Sequence, residues 1–351
     1  MFKRPLIAID VGSSAIKVVE LTGGKQKKLA TLGLETLPLG AVVDGVVQDN
    51  AVVEQKLKEL LRKLKIRPRG RRAAFSVSGS AVLIKRLEIE AKEGSELAEQ
   101  VYFEAEQQFQ ADMSEIYLDF FVLGKAKEGN SQSVLVVGAR RETVEQYISI
   151  LHKIGMRTGV VECDAFSVAN MFEHNYGKVD GLSAVLKIGA SASQVMLMQG
   201  GEYVYTGDVP MGGEEYTRRI AEVLGVDREN AEALKIAASS GSGDLPPEAG
   251  KVIAELNEHL VADVQVAIDY FVQGAAGGAV VTSVFLTGGG SRIIGLDAAI
   301  AAALHVPVQI INPFQQISVD AKKFRTEQLL TQGALYGVSI GLGLRTLGDQ
   351  A

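Results

Sequence analysis

Two segments of the chain share one pattern of apolar and polar positions: an apolar strand, a turn of glycine and small residues, and a second apolar strand. The first reads LIAIDVGSSAIKVVEL over residues 6–21, and the second reads AVLKIGASASQVMLM over residues 184–198. Aligning Gly12 with Gly189 superimposes the two hairpins, and such internal similarity is typical of a duplicated unit. Further strand and helix patterns follow each hairpin. The sequence therefore predicts an α/β protein with two related lobes, each a mixed sheet covered by helices.

Between the two hairpins the pattern changes at about residue 79. Before that point, apolar residues at helical spacing predict a helix over residues 52–64, and a short apolar run predicts a strand over residues 73–77. A different unit then follows: strand 82–89, helix 93–109, strands 116–123 and 133–138, and helix 141–154. The polar stretch KAKEGNSQ, residues 125–132, predicts a hairpin loop within it.

After this unit the pattern again alternates between strands and helices. Gly225 is typical of a helix C-terminus, and Asp227 is typical of the N-cap of the next helix. The predicted elements are strand 157–161, helices 165–175, 213–224 and 227–238, a polar loop 239–248, helix 250–273, strand 280–286, a helix after Arg292, and a terminal helix 328–345.

These elements predict three parts. The first-lobe core comprises residues 1–78, completed by residues 158–180 and the terminal helix 328–345. An α+β subdomain, residues 79–157, is inserted into it and is large enough to pack as a unit. The second lobe comprises residues 181–327, with a helical subdomain at about 226–278.

Composition narrows the classes of protein. Of the 351 residues, 47% are hydrophobic and 22% are charged, and this balance is typical of a soluble globular protein. The net charge of −6 argues against a general nucleic-acid binder, which needs clustered lysine and arginine. The basic run RKLKIRPRGRR, residues 62–72, is either an anion-attracting patch or a solvated helix end and loop.

The sequence also indicates a compartment. A lone cysteine, Cys163, excludes an intrachain disulfide and flanks an apolar strand, so we expect a buried, unreactive thiol in a reducing cytoplasm. Asp10 interrupts the first apolar stretch too early for a signal peptide. No run approaches the roughly 20 apolar residues of a spanning helix. We therefore expect membrane association only through partners.

Glycine-rich loops mark a candidate binding site. The segment LTGGGS, residues 286–291, ends a strand in three glycines, and MGGE, residues 211–214, opens a helix. Turns without bulky side chains let backbone N–H groups approach a phosphate or a nucleoside. Downstream, Glu232 and Lys235 lie on one face of a helix, as part of the site or as a solvated pair.

These motifs, taken in order, resemble the actin-like ATPase superfamily over nearly the whole chain. IAIDVGSSAIK is similar to its first phosphate loop, VVECDAF to its first connecting segment, LKIGASAS to its second phosphate loop, and TGGGS to its adenosine loop. The subdomain inserted at residues 79–157 resembles that of the FtsA and PilM branch. VVDGVVQD, GGEEYTRRIAEVLGVDRENAEALK and GLGLR are more similar to PilM proteins. The implied fold is two ribonuclease H-like lobes with mixed five-stranded sheets.

The resemblance implies ATP and Mg²⁺ as cofactors and assigns roles to individual residues. Asp10 would hold Mg²⁺ through water, and Glu162 would orient an attacking water. The residues implied around the phosphates are Gly12, Ser13, Ser14, Lys17, Lys187, Gly189 and Ser191. Those implied around the nucleoside are Gly212, Gly213, Glu232, Lys235, Gly288, Gly289 and Gly290, with Ser291 and Arg292 beside them. Alternatively, Asp10 is a turn cap and Glu162 an ordinary strand-end carboxylate.

One position departs from the pattern that the resemblance implies. Active relatives carry aspartate at the strand end before the second phosphate loop, where this chain has Lys187, aligned with Asp10 of the first hairpin. A lysine cannot accept hydrogen bonds from the waters of Mg²⁺. Lys187 could repel the metal, pair with the phosphates and partly replace it, or point away. In the first two cases we expect slow or absent ATP hydrolysis.

The resemblance to PilM proteins implies an ATP-binding scaffold of the type IV pilus assembly platform, the machinery of twitching motility. It would lie in the cytoplasm at the inner face of the inner membrane. Its implied partners are the cytoplasmic N-terminal tail of PilN, captured in a groove between the first lobe and residues 79–157, and other platform and motor components, with a homo-oligomer possible. The alternatives are an FtsA-like polymerising cell-division protein and a small-molecule kinase of the same superfamily.

Overall fold

The computed structural model describes residues 5–125, 131–274 and 279–348. The strands are β1 (Ile7–Val11), β2 (Ala15–Thr22), β3 (Lys28–Thr36), β4 (Val42–Val43), β5 (Val46–Val47), β6 (Arg72–Val77), β7 (Val82–Glu90), β8 (Ile116–Lys125), β9 (Ser131–Arg140), β10 (Arg157–Cys163), β11 (Leu182–Ile188), β12 (Ser193–Gln199), β13 (Glu202–Val209), β14 (Val281–Thr287) and β15 (Val308–Ile310). The helices are α1 (Asn50–Lys63), α2 (Gly94–Phe109), α3 (Arg141–Lys153), α4 (Asp164–Tyr176), α5 (Gly213–Leu224), α6 (Arg228–Ser240), α7 (Pro247–Gly274), α8 (Leu296–Leu304), α9 (Thr326–Gln332) and α10 (Gly337–Leu344).

Two five-stranded sheets have the same topology. The first has the order β10-β6-β1-β2-β3, and the second, written in the same sense, β15-β14-β11-β12-β13. In the first sheet β1 pairs antiparallel with β2 and parallel with β6. In the second sheet β11 likewise pairs antiparallel with β12 and parallel with β14. The turns also match, because the Gly12 N–H donates to the Ala15 carbonyl at 3.1 Å and the Gly189 N–H to the Ala192 carbonyl at 3.0 Å. The predicted duplicated lobes with mixed five-stranded sheets are confirmed.

Helices α4 and α10 lie between the two sheets and share a core with both. Their buried side chains pack with Ala8 of the first sheet and with Val185 and Phe285 of the second. The two helices approach closely at Gly341, where a Cβ atom would lie only 1.7 Å from the Ser167 carbonyl oxygen. This shared core fixes the two lobes relative to each other and thereby positions the hairpin turns.

The inserted unit has its own small core. Strands β7, β9 and β8 form an antiparallel sheet, against which α2 packs through Val101, Ala105 and Phe109. Helix α3 instead packs with α1 on the first sheet, where the Tyr147 ring stacks on the Phe75 ring at 5.4 Å. The part of the predicted insertion, residues 79–157, that packs on its own core therefore ends near residue 140, and α3 packs on the first lobe.

The C-terminal segment is broken rather than one continuous helix. Helix α9 is followed by a 3₁₀ turn, Gly333–Tyr336, and then by α10. The Ala334 carbonyl accepts hydrogen bonds from the Gly288 N–H at 2.8 Å and from the Thr287 hydroxyl at 2.9 Å. Because this carbonyl is bonded outside the helix, the single helix predicted over residues 328–345 is wrong.

The other predicted strands and helices are present, with ends displaced by a few residues. Most of the hairpin loop predicted at 125–132 lies outside the described residues, as do residues 275–278 of the predicted helical subdomain and both chain ends. In the basic run, Arg71 bonds Glu20 at 2.5 Å and Lys63 bonds Glu35 at 2.5 Å, which favours a paired helix end and loop over an anion patch. Within the described ranges, no helix is both long and apolar enough to cross a membrane.

Candidate functional site

The two hairpin turns carry small side chains, and the charge of Lys187, before the second turn, acts on Asp10, before the first. We call the space between the two turns the cleft. Ser14 and Ser191 are exposed, and Ser13 is half-buried. A Cβ atom at Gly189 would lie 2.5 Å from the Ala192 carbonyl oxygen, so the second turn requires glycine. A Cβ atom at Gly12 would lie 3.4 Å from the Lys17 ammonium and 3.6 Å from the Ala15 carbonyl oxygen. The absent side chain at Gly189 therefore serves the turn itself, and Gly12 leaves room beside its backbone.

Four charged side chains form two ion pairs beside these turns. The Lys17 ammonium lies 3.1 Å from the Asp10 carboxylate, its cross-strand neighbour in the hairpin. The Lys187 ammonium lies 2.5 Å from the carboxylate of Asp164, the first residue of α4. The second pair joins the lobes, because Asp164 follows β10 of the first sheet and Lys187 belongs to β11 of the second.

The pKa values show how closely these groups interact. Burial raises the pKa of Asp10; Lys17 opposes this shift, and the negative charge of Asp164 adds to it. Burial alone would lower the pKa of Lys187, but the ion pair with Asp164 and the charge of Asp10 outweigh burial and raise it. Lys187 is therefore a cation at neutral pH, and its ammonium lies against Asp164 of the other lobe.

The donor set does not fit a Mg²⁺ ion. Mg²⁺ is usually bound through one or two carboxylates that are free to meet its water shell. Here Asp10 and Asp164 each bond a lysine ammonium, and the four formal charges cancel. Among the described residues, no group of three or more His, Cys, Asp or Glu side chains could hold a metal ion. The contacts thus give no support to Asp10 as a ligand of Mg²⁺ through water.

The start of α5 packs directly on the second hairpin turn. The Gly213 N–H donates to the Gly189 carbonyl at 2.9 Å, and the Glu214 N–H donates to the Ala190 carbonyl at 2.8 Å. A Cβ at Gly212 would lie 2.5 Å from the Ala190 oxygen. Gly212 is therefore needed for this contact, which fixes the conformation of the turn, whereas a Cβ at Gly213 would lie 3.5 Å from the Lys235 ammonium, an ordinary contact.

Lys235 ties α6 to the start of α5. Its ammonium, on a residue only 7% exposed, donates to the Gly213 carbonyl at 2.8 Å and to the Thr217 hydroxyl at 2.6 Å. It also lies 2.6 Å from Glu232, which accepts a hydrogen bond from Thr217. The alternative of a solvated helix face is therefore wrong for Lys235, which is buried behind the second turn.

The three glycines after β14 have different surroundings. Gly288 has φ +90°, and a Cβ there would lie 2.4 Å from the Ile188 carbonyl oxygen. A Cβ at Gly290 would lie 2.3 Å from Cγ2 of Ile188, whereas at Gly289 it would meet only Leu335, at 3.4 Å. Gly288 and Gly290 are thus needed for packing against β11. Gly289 has space for a ligand beside it.

The two residues after these glycines are engaged within the protein. The Ser291 hydroxyl donates to the Gly288 carbonyl at 2.7 Å, and the Arg292 guanidinium donates to the Leu330 carbonyl at 2.6 Å. Ser291 is buried. Both contacts shape the loop, and neither places a side chain toward the hairpin turns.

Glu162 is bonded to the end of α10 and to the backbone of its neighbour. Its carboxylate accepts hydrogen bonds from the Arg345 guanidinium at 2.5 Å and from the Cys163 N–H at 3.1 Å. Burial raises the pKa of Glu162, and Arg345 opposes the shift. These contacts give no support to the predicted water-positioning role of Glu162. The ion pair of Asp164 with the other lobe was not anticipated from the sequence. An aspartate that opens a helix directly after a strand was the available signal.

A second concave site lies where the inserted unit meets both lobes. A cavity of about 230 Å³ is bordered by Val82, Leu83 and Ile84 of the insertion and by Asp164 and Gln194 of the two lobes. The Gln194 side-chain amide donates to Asp208 at 2.8 Å, while its carbonyl oxygen, among the described residues, is buried without a hydrogen-bond partner. The cavity lies at the position of the predicted groove and is bordered by the second lobe as well.

Both the sequence and the structure are similar to those of known proteins. Residues 8–347 match the family model described as type IV pilus assembly protein PilM. The structure is similar to that of the PilM–PilN type IV pilus biogenesis complex, with 26% sequence identity, 98% of this chain and 99% of that chain covered, and a TM-score of 0.84.

More distant structures share the actin-like fold. The ethanolamine utilization protein EutJ from Carboxydothermus hydrogenoformans is 15% identical, with 98% of this chain and 90% of that chain covered and a TM-score of 0.58. MreB5 of Spiroplasma citri bound to AMPPNP is 11% identical, with 97% and 95% covered and a TM-score of 0.55. At these identities the similarity concerns the fold alone.

Proposed function

This chain belongs to the PilM family of type IV pilus assembly proteins, and we propose that it is an actin-like scaffold that binds ATP in the cleft and PilN in the neighbouring cavity. The observation that carries the nucleotide part is the pair of equivalent turns, Gly12–Ala15 and Gly189–Ala192, facing one cleft beside two lysine ammoniums. Backbone N–H groups and lysines together are the usual means of binding phosphates.

The nucleoside would lie beside Gly289, the one glycine of its loop with open space next to it. Lys235 and Glu232 support this position indirectly, since they fix the start of α5 against the second turn. A protein of the same fold, MreB5, has been solved with AMPPNP bound. We propose ATP as the ligand, with Lys17 and Lys187 contacting its phosphates.

The partner proposal rests on the cavity at the insertion. Its apolar border, Val82 to Ile84, can receive an aliphatic side chain, and the unpaired Gln194 carbonyl can accept an N–H of an extended segment. In the PilM–PilN complex, whose structure is similar to this chain, the partner protein is PilN. We propose that the cytoplasmic N-terminal tail of PilN binds here. Through PilN the scaffold would be held at the inner face of the inner membrane and would meet other platform and motor components.

A peptide titration tests the partner proposal. A fluorescently labelled PilN tail should bind the full-length protein saturably in an anisotropy assay. Thr206→Phe, on edge strand β13, would fill the cavity and should weaken binding at least tenfold. Glu202→Phe adds a similar side chain at an exposed position of the same strand and should leave binding unchanged. No saturable binding, or equal binding by both variants, would remove this partner site.

A further inference from the structure

The duplicated fold shows an inversion of charge between the two halves of the cleft. Asp10 of β1 and Lys187 of β11 occupy equivalent positions, directly before the equivalent turns. Lys17 of β2 is likewise equivalent to Gln194 of β12, as the hairpin registers show. The first lobe therefore presents a carboxylate where the second presents an ammonium.

We propose that this cleft binds the phosphates of a nucleotide without a divalent cation, with Lys187 and Lys17 supplying the positive charge. The proposal rests on the proposed ATP binding and specifies its chemistry. Each ammonium has three N–H donors, and in the described structure each bonds one carboxylate. Both side chains remain partly exposed, at 13% for Lys17 and 17% for Lys187. They can therefore donate to a phosphate while keeping their carboxylate partners.

The same contacts disfavour a metal. To approach Mg²⁺, Asp10 would have to give up Lys17, and Asp164 would have to give up Lys187. Lys187 would also repel a divalent cation placed between the turns. A lysine fixed by a buried carboxylate is positioned before the ligand arrives, which favours binding to an anion. The positive charge that a nucleotide needs is thus part of the protein.

Isothermal titration calorimetry with ATP tests the proposal on the full-length protein. Titrations in EDTA and in excess MgCl₂ should give dissociation constants within threefold of each other. Lys187→Met removes the charge and should weaken ATP binding in EDTA at least tenfold. Lys187→Arg keeps the charge and should retain most of the wild-type affinity for ATP. Lys251→Met, at an exposed position on α7, is the matched control and should bind like the wild type.

The other outcomes of these titrations would contradict the metal-free site, the binding of ATP or the role of Lys187. If wild-type binding appears only with MgCl₂, the metal-free proposal fails while ATP binding stands. If ATP does not bind under either condition, both fail. If Lys187→Met binds in EDTA as tightly as the wild type, Lys187 is not a phosphate ligand. Because Lys187→Arg keeps the charge, its loss of binding with a normal circular dichroism spectrum would also contradict the proposal.

Discussion

At the scale of single residues, neighbouring side chains in one motif have different partners. In VVECDAF, Glu162 bonds Arg345 at the end of α10, whereas Asp164 bonds Lys187 of the other lobe. The sequence shows two acids two positions apart, and in a continuing strand both would lie on one face. Helix α4 begins at Asp164 and changes the direction of its side chain. That change depends on the fold, so the motif alone does not show which of the two acids lies beside the second lobe.

The glycine loop gives a test at this scale. Gly289→Val should weaken ATP binding at least tenfold with little loss of stability, since the added side chain enters the proposed nucleoside space. Gly290→Val is the matched variant: its side chain would meet Ile188, and overpacking of this kind costs about 1–3 kcal/mol. Calorimetric titration measures ATP binding by both variants, and urea unfolding measures their free energies of unfolding. Normal ATP binding by Gly289→Val would remove this loop from the site.

The slow ATP hydrolysis expected from Lys187 remains a prediction. The ion pair with Asp164 gives it a second physical reason, because a carboxylate that is bonded to a lysine ammonium is less available to accept a proton from an attacking water. Neither the fold nor the family decides this point. A single-turnover assay would show it directly, and brisk wild-type hydrolysis would contradict it.

At the scale of elements, periodicity located most strands and helices but not the break before α10. Small and apolar residues continue through 328–345 and favour one helix. The break has a tertiary cause, the hydrogen bonds from Thr287 and Gly288 to the Ala334 carbonyl. No local pattern encodes a bond to a residue 47 positions earlier, which is why this element was mispredicted.

A pair of isosteric variants tests that cause. Thr287→Val removes the hydroxyl that holds the Ala334 carbonyl and should lower the free energy of unfolding by about 1 kcal/mol. Thr158→Val should be neutral or stabilising, because the Thr158 hydroxyl, among the described residues, is buried without a partner. Urea unfolding of both variants measures the difference. Equal effects would mean that the Thr287 bond does not hold the break.

At the scale of the whole molecule, the two hairpins were enough to predict the duplicated lobes, because each begins a sheet of the same topology. The limit of the insertion was harder to predict. The apolar face of α3 suits either the small sheet or the first lobe, and only the packing on Phe75 decides between them. Pattern alone therefore does not determine with which unit α3 packs.

The pairing of β7 with β9 makes a deletion possible. Val82 of β7 pairs with Ala139 of β9, so the insertion leaves and rejoins the first lobe at neighbouring points. Replacing residues 82–139 with a short Gly-Ser link should leave a folded protein that still binds ATP and no longer binds the PilN tail. Circular dichroism checks that the shortened protein is folded, calorimetry checks ATP binding, and anisotropy checks binding of the PilN tail. Tail binding retained by the folded, shortened protein would contradict the proposed groove.

The central claim is that one nucleotide contacts both duplicated turns and the glycine loop at the same time. Hydrogen–deuterium exchange mass spectrometry of the full-length protein, with and without ATP, tests it most directly. We predict that ATP slows exchange together in peptides containing residues 12–15, 189–192 and 288–290, whose backbones line the cleft. Protection confined to one lobe, or no change at any of these three segments, would contradict the account.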